Sequence, residues 1–143
     1  MITRFILCAR RAIQDNTEND LSLIGLVEDF VAQGFPLVLP RVAVVWLVDR
    51  EEGEAPEFAG TLRLTVDDQN LQESPFTATF LERRSARVIL NIGGFACPRP
   101  GYYKFTMLIG GVEKASIGFR ADANPQAVAA AQAPPPGGVF LVA

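Results

Sequence analysis

Histidine is absent from the 143 residues. That removes the commonest general base, the commonest metal ligand and the side chain that titrates near neutral pH. Ser22, Ser74, Ser85 and Ser116 therefore have no imidazole to activate them, and no G-x-S-x-G, P-loop or G-x-G-x-x-G pattern occurs. Thiols are scarce too. Cys8 and Cys97 are the only two, each in an apolar stretch, and they read as small buried hydrophobes. A disulfide between them requires strands that bring them together. Basic residues are outnumbered, 13 against 16 acidic, for a net charge of −3. No basic stripe exists to neutralise phosphates, which excludes nucleic acid as the expected partner. The pairs Arg10-Arg11 and Arg83-Arg84 lie beside Asp15 and Glu82 and read as solvated charges. No apolar run approaches the roughly 18 residues that span a bilayer. Ile2–Ala9 is too short for a secretion signal, and Arg10-Arg11 stands where a small-residue cleavage site belongs. The expectation is a cytoplasmic chain with reduced thiols, no cofactor and no membrane.

What is present is β-structure. Pro100-Gly101 leads into Tyr103, Phe105, Met107 and Ile109 at a period of two. Gly110-Gly111 suits a type I′ turn, and Ala115, Ile117 and Phe119 return along an inward face. Arg4–Ala9 and Val42–Val48, with Trp46 in its middle, are apolar on both faces, and the second reads as a central strand. Phe58, Leu62, Leu64 and Val66 alternate with Thr61, Arg63 and Thr65. Leu21–Val31 reads as one strand with a bulge or bend at Gly25, and two further runs centre on Phe76, Ala78, Phe80 and on Val88, Leu90, Ile92. Together these predict an all-β fold, a single two-sheet antiparallel β-sandwich of about eight strands, Ig-like or jelly-roll-like, over residues 1–121. A domain of this size buries roughly two-thirds of its unfolded surface.

Two loops stand out. Gln33–Arg41, with Phe35-Pro36 and Leu39-Pro40, is apolar for a loop and is expected to cross one end of the sandwich. Asp49–Glu57 is acidic and is expected to be exposed and mobile. From Asp122 the composition shifts to an Ala/Pro-rich tail, residues 122–143, that ends in Val139-Phe140-Leu141-Val142.

Candidate sites are few. Asp15, Glu18 and Asp20 crowd one inter-strand loop, as oxygen ligands do around calcium at a sandwich apex. The spacing is not that of an EF-hand, and Asp and Asn are ordinary turn residues. Glu28-Asp29, inside an apolar run, reads as a strand end, bulge or edge device rather than a catalytic dyad. The tethered run Val139, Phe140, Leu141 and Val142 has the form of a peptide that adds a strand to a sheet edge or fills an apolar groove. The expected function is a non-enzymatic protein-binding or assembly module using that segment, with self-association as one outcome. The alternative is a calcium- or small-ligand-binding module using the end loops.

Phe5-Ile6-Leu7-Cys8, Leu21–Leu26 with Phe35-Pro36 and Pro40-Arg41, and Pro100–Phe105 together resemble a family of small, uncharacterised bacterial β-sandwich proteins known only as a domain of unknown function. The resemblance covers residue 1 to about residue 120 and omits the tail. It implies a bacterial, cytoplasmic, sandwich-type domain and brings no activity with it.

Overall fold

A computed structural model describes residues 1–15 and 17–125. Nine strands follow in order: β1 (Ile2–Asp15), β2 (Asp20–Leu26), β3 (Phe30–Ala32), β4 (Leu37–Asp49), β5 (Glu57–Val66), β6 (Gln69–Thr79), β7 (Ser85–Cys97), β8 (Gly101–Ile109) and β9 (Val112–Ala123). They form a β-sandwich of a four-stranded sheet, β2-β1-β4-β7, and a five-stranded sheet, β3-β9-β8-β5-β6. The inward faces meet in one core. Trp46 and Val44 of β4, Cys8 of β1 and Val88 of β7 lie on one side. Tyr103, Phe105 and Met107 of β8 and Phe119 of β9 lie on the other. Tyr103 stacks on Phe119, and Phe95 meets Tyr103 edge-on, geometries that suit aromatic quadrupoles. Trp46 is fully buried in a central strand, and its indole N–H donates to Thr3 Oγ1 at 2.9 Å.

The β8–β9 hairpin has the inward residues and the turn that its alternation implies. Gly110 and Gly111 both take positive φ, 59° and 78°, which a side chain would strain. The stretch Leu21–Val31 is two strands rather than one. Gly25 sits at φ 69° in β2, the chain leaves the four-stranded sheet after Leu26, and β3 joins the other sheet by pairing parallel with β9. Glu28 and Asp29 occupy the corner between the sheets. The Asp29 carboxylate accepts the Arg120 N–H at 2.7 Å, which straps the corner to β9.

Gln33–Arg41 is only partly a loop. β4 begins at Leu37 and runs through Pro40, paired to β7 along its length. Its pairing with β1 starts only at Ala43, so among the described residues no strand pairs with the other side of Leu37–Val42. A residue without an N–H is tolerated at such an open edge. Both strands change face here. Leu39 and Phe95 point into the core on one side of Pro40 and Gly94, while Val42 and Ile92 do so on the other. Gly94, at φ 63°, permits the turn of the backbone.

The acidic loop after β4 is tied down rather than free. The N-terminal ammonium of Met1 binds the carboxylates of Glu51 and Glu54, and Arg50 donates from Nε to the Glu54 carbonyl at 2.9 Å. β9 continues to Ala123, two residues past the expected domain boundary. The rest of the expected tail from residue 126 on, Val139–Val142 included, lies outside the described residues.

Candidate functional site

β1 serves two partners in succession. Ile2–Ala9 pairs with β4, and Ala9–Asp15 pairs with β2. Beyond Ala9, β1 and β2 form a two-stranded arm that has parted from β4. Gln14 and Asn19, near its tip, border the same cavity as Arg4, Leu47 and Arg87, so the arm doubles back toward the outer side of the four-stranded sheet. Ala43 and Val45 point away from the sandwich core yet are fully buried, as a covered outer face requires. Ile13, Ile24 and Leu26 on the arm stay 40%, 49% and 50% exposed.

At the root of the arm lies a cavity of about 200 Å³. Leu26 and Val27 from the end of β2, Phe30, Val31 and Ala32 of β3, and Leu37 and Leu39 of β4 line it, with Arg10, Glu28 and Asp29 as its polar members. Three local causes make it. The chain changes sheets at Glu28-Asp29, β3 is an edge strand only three residues long, and β4 has lost its β1 neighbour beside it. Two strand edges therefore face the cavity with no ladder partner among the described residues: the outer side of β3 and the β1-side of Leu37–Val42. A cavity this size holds one or two apolar side chains. Pockets for cofactors and drug-sized ligands begin at about 300 Å³.

The last strand of the described residues, β9, ends at this cavity. Asn124 N–H donates to the carbonyl of Ala32, a lining residue, at 2.8 Å. The partner-binding candidates Val139, Phe140, Leu141 and Val142 lie outside the described residues, but the strand leading to them stops beside the apolar cavity.

The other sequence candidates are placed as follows. Asp15 and Asp20 face each other across the mouth of the β1–β2 hairpin, and Glu18 is in its turn. Asp15 Oδ1 accepts the Thr17 N–H at 2.8 Å, the bond of an Asx turn. Among the described residues no group of three or more Asp, Glu, Cys or His side chains converges to hold a metal ion. Cys8 and Cys97 are both buried free thiols. Burial pushes the Cys8 thiol up to about 12. Burial also raises Cys97, to about 11, against a hydrogen bond with Tyr103. Neither is a thiolate nucleophile near neutral pH.

Sequence reasoning missed the cavity because its walls come from three separate segments, Arg10, Leu26–Ala32 and Leu37–Leu39. The signal was the acidic pair Glu28-Asp29 within an apolar run, which marks the sheet-switching corner. It also missed a second cavity, where Arg4, Arg83, Arg84 and Arg87 come together. These arginines are spread over three elements and form no recognisable run.

The model of the Family of unknown function (DUF6941) matches residues 4–122, and the chain belongs to that family. Neither a curated protein nor a solved structure matches the chain. No helix among the described residues is long and apolar enough to cross a membrane.

Proposed function

We propose that this member of an uncharacterised family is a non-enzymatic assembly module, in which the apolar segment Val139–Val142 of one copy is donated to the corner cavity of another. The observation that carries the reading is a largely apolar, side-chain-sized cavity flanked by two strand edges that have no ladder partner among the described residues, beside the end of β9. An extended apolar peptide supplies what those edges lack: backbone partners along the strand and alternate side chains for the hollow. The reach is sufficient. Thirteen residues, 126–138, separate the described chain from Val139, and a chain of that length spans at most about 45 Å. The same length lets the segment serve a neighbouring copy. A bacterial cytoplasm, where buried Cys8 and Cys97 stay reduced, is the setting that suits this reading.

The test is solution mass by light scattering on a sizing column, for the full chain and two variants. Phe140→Asp places a charge in the donated segment. Leu26→Asp places one on the half-exposed rim of the cavity. The expected result is a defined oligomer for the full chain and monomers for both variants, each still unfolding cooperatively. A monomeric full chain overturns the reading. If both variants then melt at lower temperature than the parent, the segment docks on its own copy instead. A truncation used as a control must keep Ala123, since Asp122 and Ala123 pair with Val31 and Ala32 of β3.

A further inference from the structure

On the far side of the arm, its tip and the opposite end of the four-stranded sheet border an open cavity of about 490 Å³. Arg4 of β1, Arg83 and Arg84 of the β6–β7 loop, and Arg87 of β7 line it, together with the amide side chains Gln14 and Asn19 at the arm tip. No carboxylate is among the described residues that line it. Four of the chain's 13 basic residues are thus gathered at one place in a protein of net negative charge.

Asp49 pairs with Arg4: its Oδ2 lies 3.9 Å from Arg4 Nε, and its Oδ1 already accepts the Ser85 hydroxyl at 2.5 Å. The neighbouring cavity, which Arg83 and Arg84 also line, carries Asp49, Glu51, Glu52 and Glu82. None of the ion pairs among the described residues includes Arg83, Arg84 or Arg87. The decisive atom is Arg87 Nη1. It is shielded from solvent and has no hydrogen-bond partner, the one such buried side-chain atom among the described residues. A guanidinium N–H removed from water without an acceptor is costly, and folded proteins rarely leave one so. Arg87 is opposite Leu47 across the β4–β7 ladder, and both residues line the cavity.

We propose that this cavity binds a tetrahedral oxyanion of the phosphate type, with the half-buried Arg87 as the anchor and Arg4, Arg83 and Arg84 completing its charge. Planar guanidinium forks suit two oxygens of one phosphate, and Gln14 and Asn19 add neutral donors from the arm. The volume exceeds that of the anion alone, so either free phosphate or a phosphate carried on a small organic group fits. This site is separate from the corner cavity and does not depend on the assembly reading.

The test uses the full chain and thermal unfolding in inorganic phosphate, sulfate, a small phosphate monoester and chloride, all at matched ionic strength. A ligand that binds the native state raises the melting temperature by mass action. The expected result is a concentration-dependent rise with phosphate that chloride does not give. Arg87→Gln weakens phosphate binding at least tenfold, and so does the exposed-site double variant Arg83→Gln/Arg84→Gln, which leaves the sheet untouched. A monoester binding more tightly than phosphate identifies the carried group as part of the ligand; equal binding identifies the free anion. Chloride matching phosphate at equal ionic strength overturns the proposal. So does a phosphate effect that survives both variants, or an Arg87→Met variant that keeps full phosphate binding.

Discussion

Gly60 and Gly118 are both strand glycines at ordinary φ, and replacing each by alanine separates backbone crowding from side-chain crowding. A Cβ on Gly118 would fall 2.2 Å from Tyr102 Oη and 2.4 Å from its Cζ. Those atoms are the far end of an exposed side chain, which swings away. The usual gain of roughly 0.5–1 kcal/mol for alanine over glycine in a strand then offsets the lost ring contact, and Gly118→Ala is near neutral. A Cβ on Gly60 would meet Phe76 Cζ at 2.6 Å, Ile109 Cδ1 at 2.7 Å and the Leu108 carbonyl oxygen at 2.7 Å. The first two can shift. The third belongs to the β5–β8 ladder at the Thr61–Leu108 pair and moves only if the sheet opens. Overpacking of this kind costs about 1–3 kcal/mol, and we expect about 2 kcal/mol for Gly60→Ala. In a domain near 150 residues that lowers the melting temperature by roughly 4–8 °C. The assay is urea unfolding followed by the fluorescence of Trp46, the only tryptophan and a fully buried one. The Gly60→Ala midpoint should fall, and Phe76→Leu should not restore it. A Gly60→Ala protein within about 0.5 kcal/mol of the parent, the usual range for innocuous surface changes, refutes the reasoning, as does rescue by Phe76→Leu.

Three further outcomes follow from the structure. Cys8 and Cys97 should resist a thiol reagent at pH 8 in the native protein and react stoichiometrically in denaturant, because burial holds both thiols protonated; rapid native labelling would contradict their placement. Tyr103→Phe keeps the stacked ring but strands the Arg99 carbonyl, which accepts the Tyr103 hydroxyl at 2.5 Å, and should cost about 1–2 kcal/mol in a urea melt. Stability should also fall on both flanks of pH. Burial alone would lower the Met1 ammonium, but its bonds to Glu51 and Glu54 outweigh that and leave it raised, so its contribution is whole below about pH 8 and disappears as pH climbs through the raised value. Glu54 is lowered, first by the bond from that ammonium and then by the Glu51 N–H, so its contribution is present above about pH 4.5 and disappears as pH falls through the lowered value. Acetylating the α-amine should flatten the alkaline flank of a melting-temperature profile; an unchanged flank would remove the ammonium from the account.

Legibility in the sequence followed burial on one face. The β8–β9 hairpin was readable because Tyr103, Phe105, Met107 and Phe119 keep a strict period of two and Gly110-Gly111 marks the turn. Trp46 announced a central strand because its neighbours are apolar on both faces, and the covered outer face at Ala43 and Val45 shows why. The second half of β1 was hidden: Arg10–Asp15 leaves the sandwich as an arm, so little of its alternation is enforced by a core. β6 began earlier than its apolar residues suggest, at Gln69, because an edge strand can be polar while its backbone is paired. The opening of β4 was masked by Pro40, which reads as a loop signal unless an unpaired edge is known to lie beside it. The cavities were illegible for a different reason. Each is a junction of segments distant in sequence, and nothing local in Arg4 or Arg87 reports that the other is near.

Ala9 is paired to Leu26 on one side and to Ala43 on the other, and it is the single residue through which β1 belongs to both the sandwich and the arm. One continuous strand is therefore divided between two cooperative units. The amide protons of Ile2–Ala9 that bond to β4 exchange with solvent when the sandwich opens, whereas those of Arg10–Asp15 that bond to β2 need only the arm to open, an event that leaves the core closed. A step in the protection profile at Ala9, with no break in the chain or the secondary structure, is the signature of that division. The lifting of the arm is also the motion that would uncover the arginine-lined cavity.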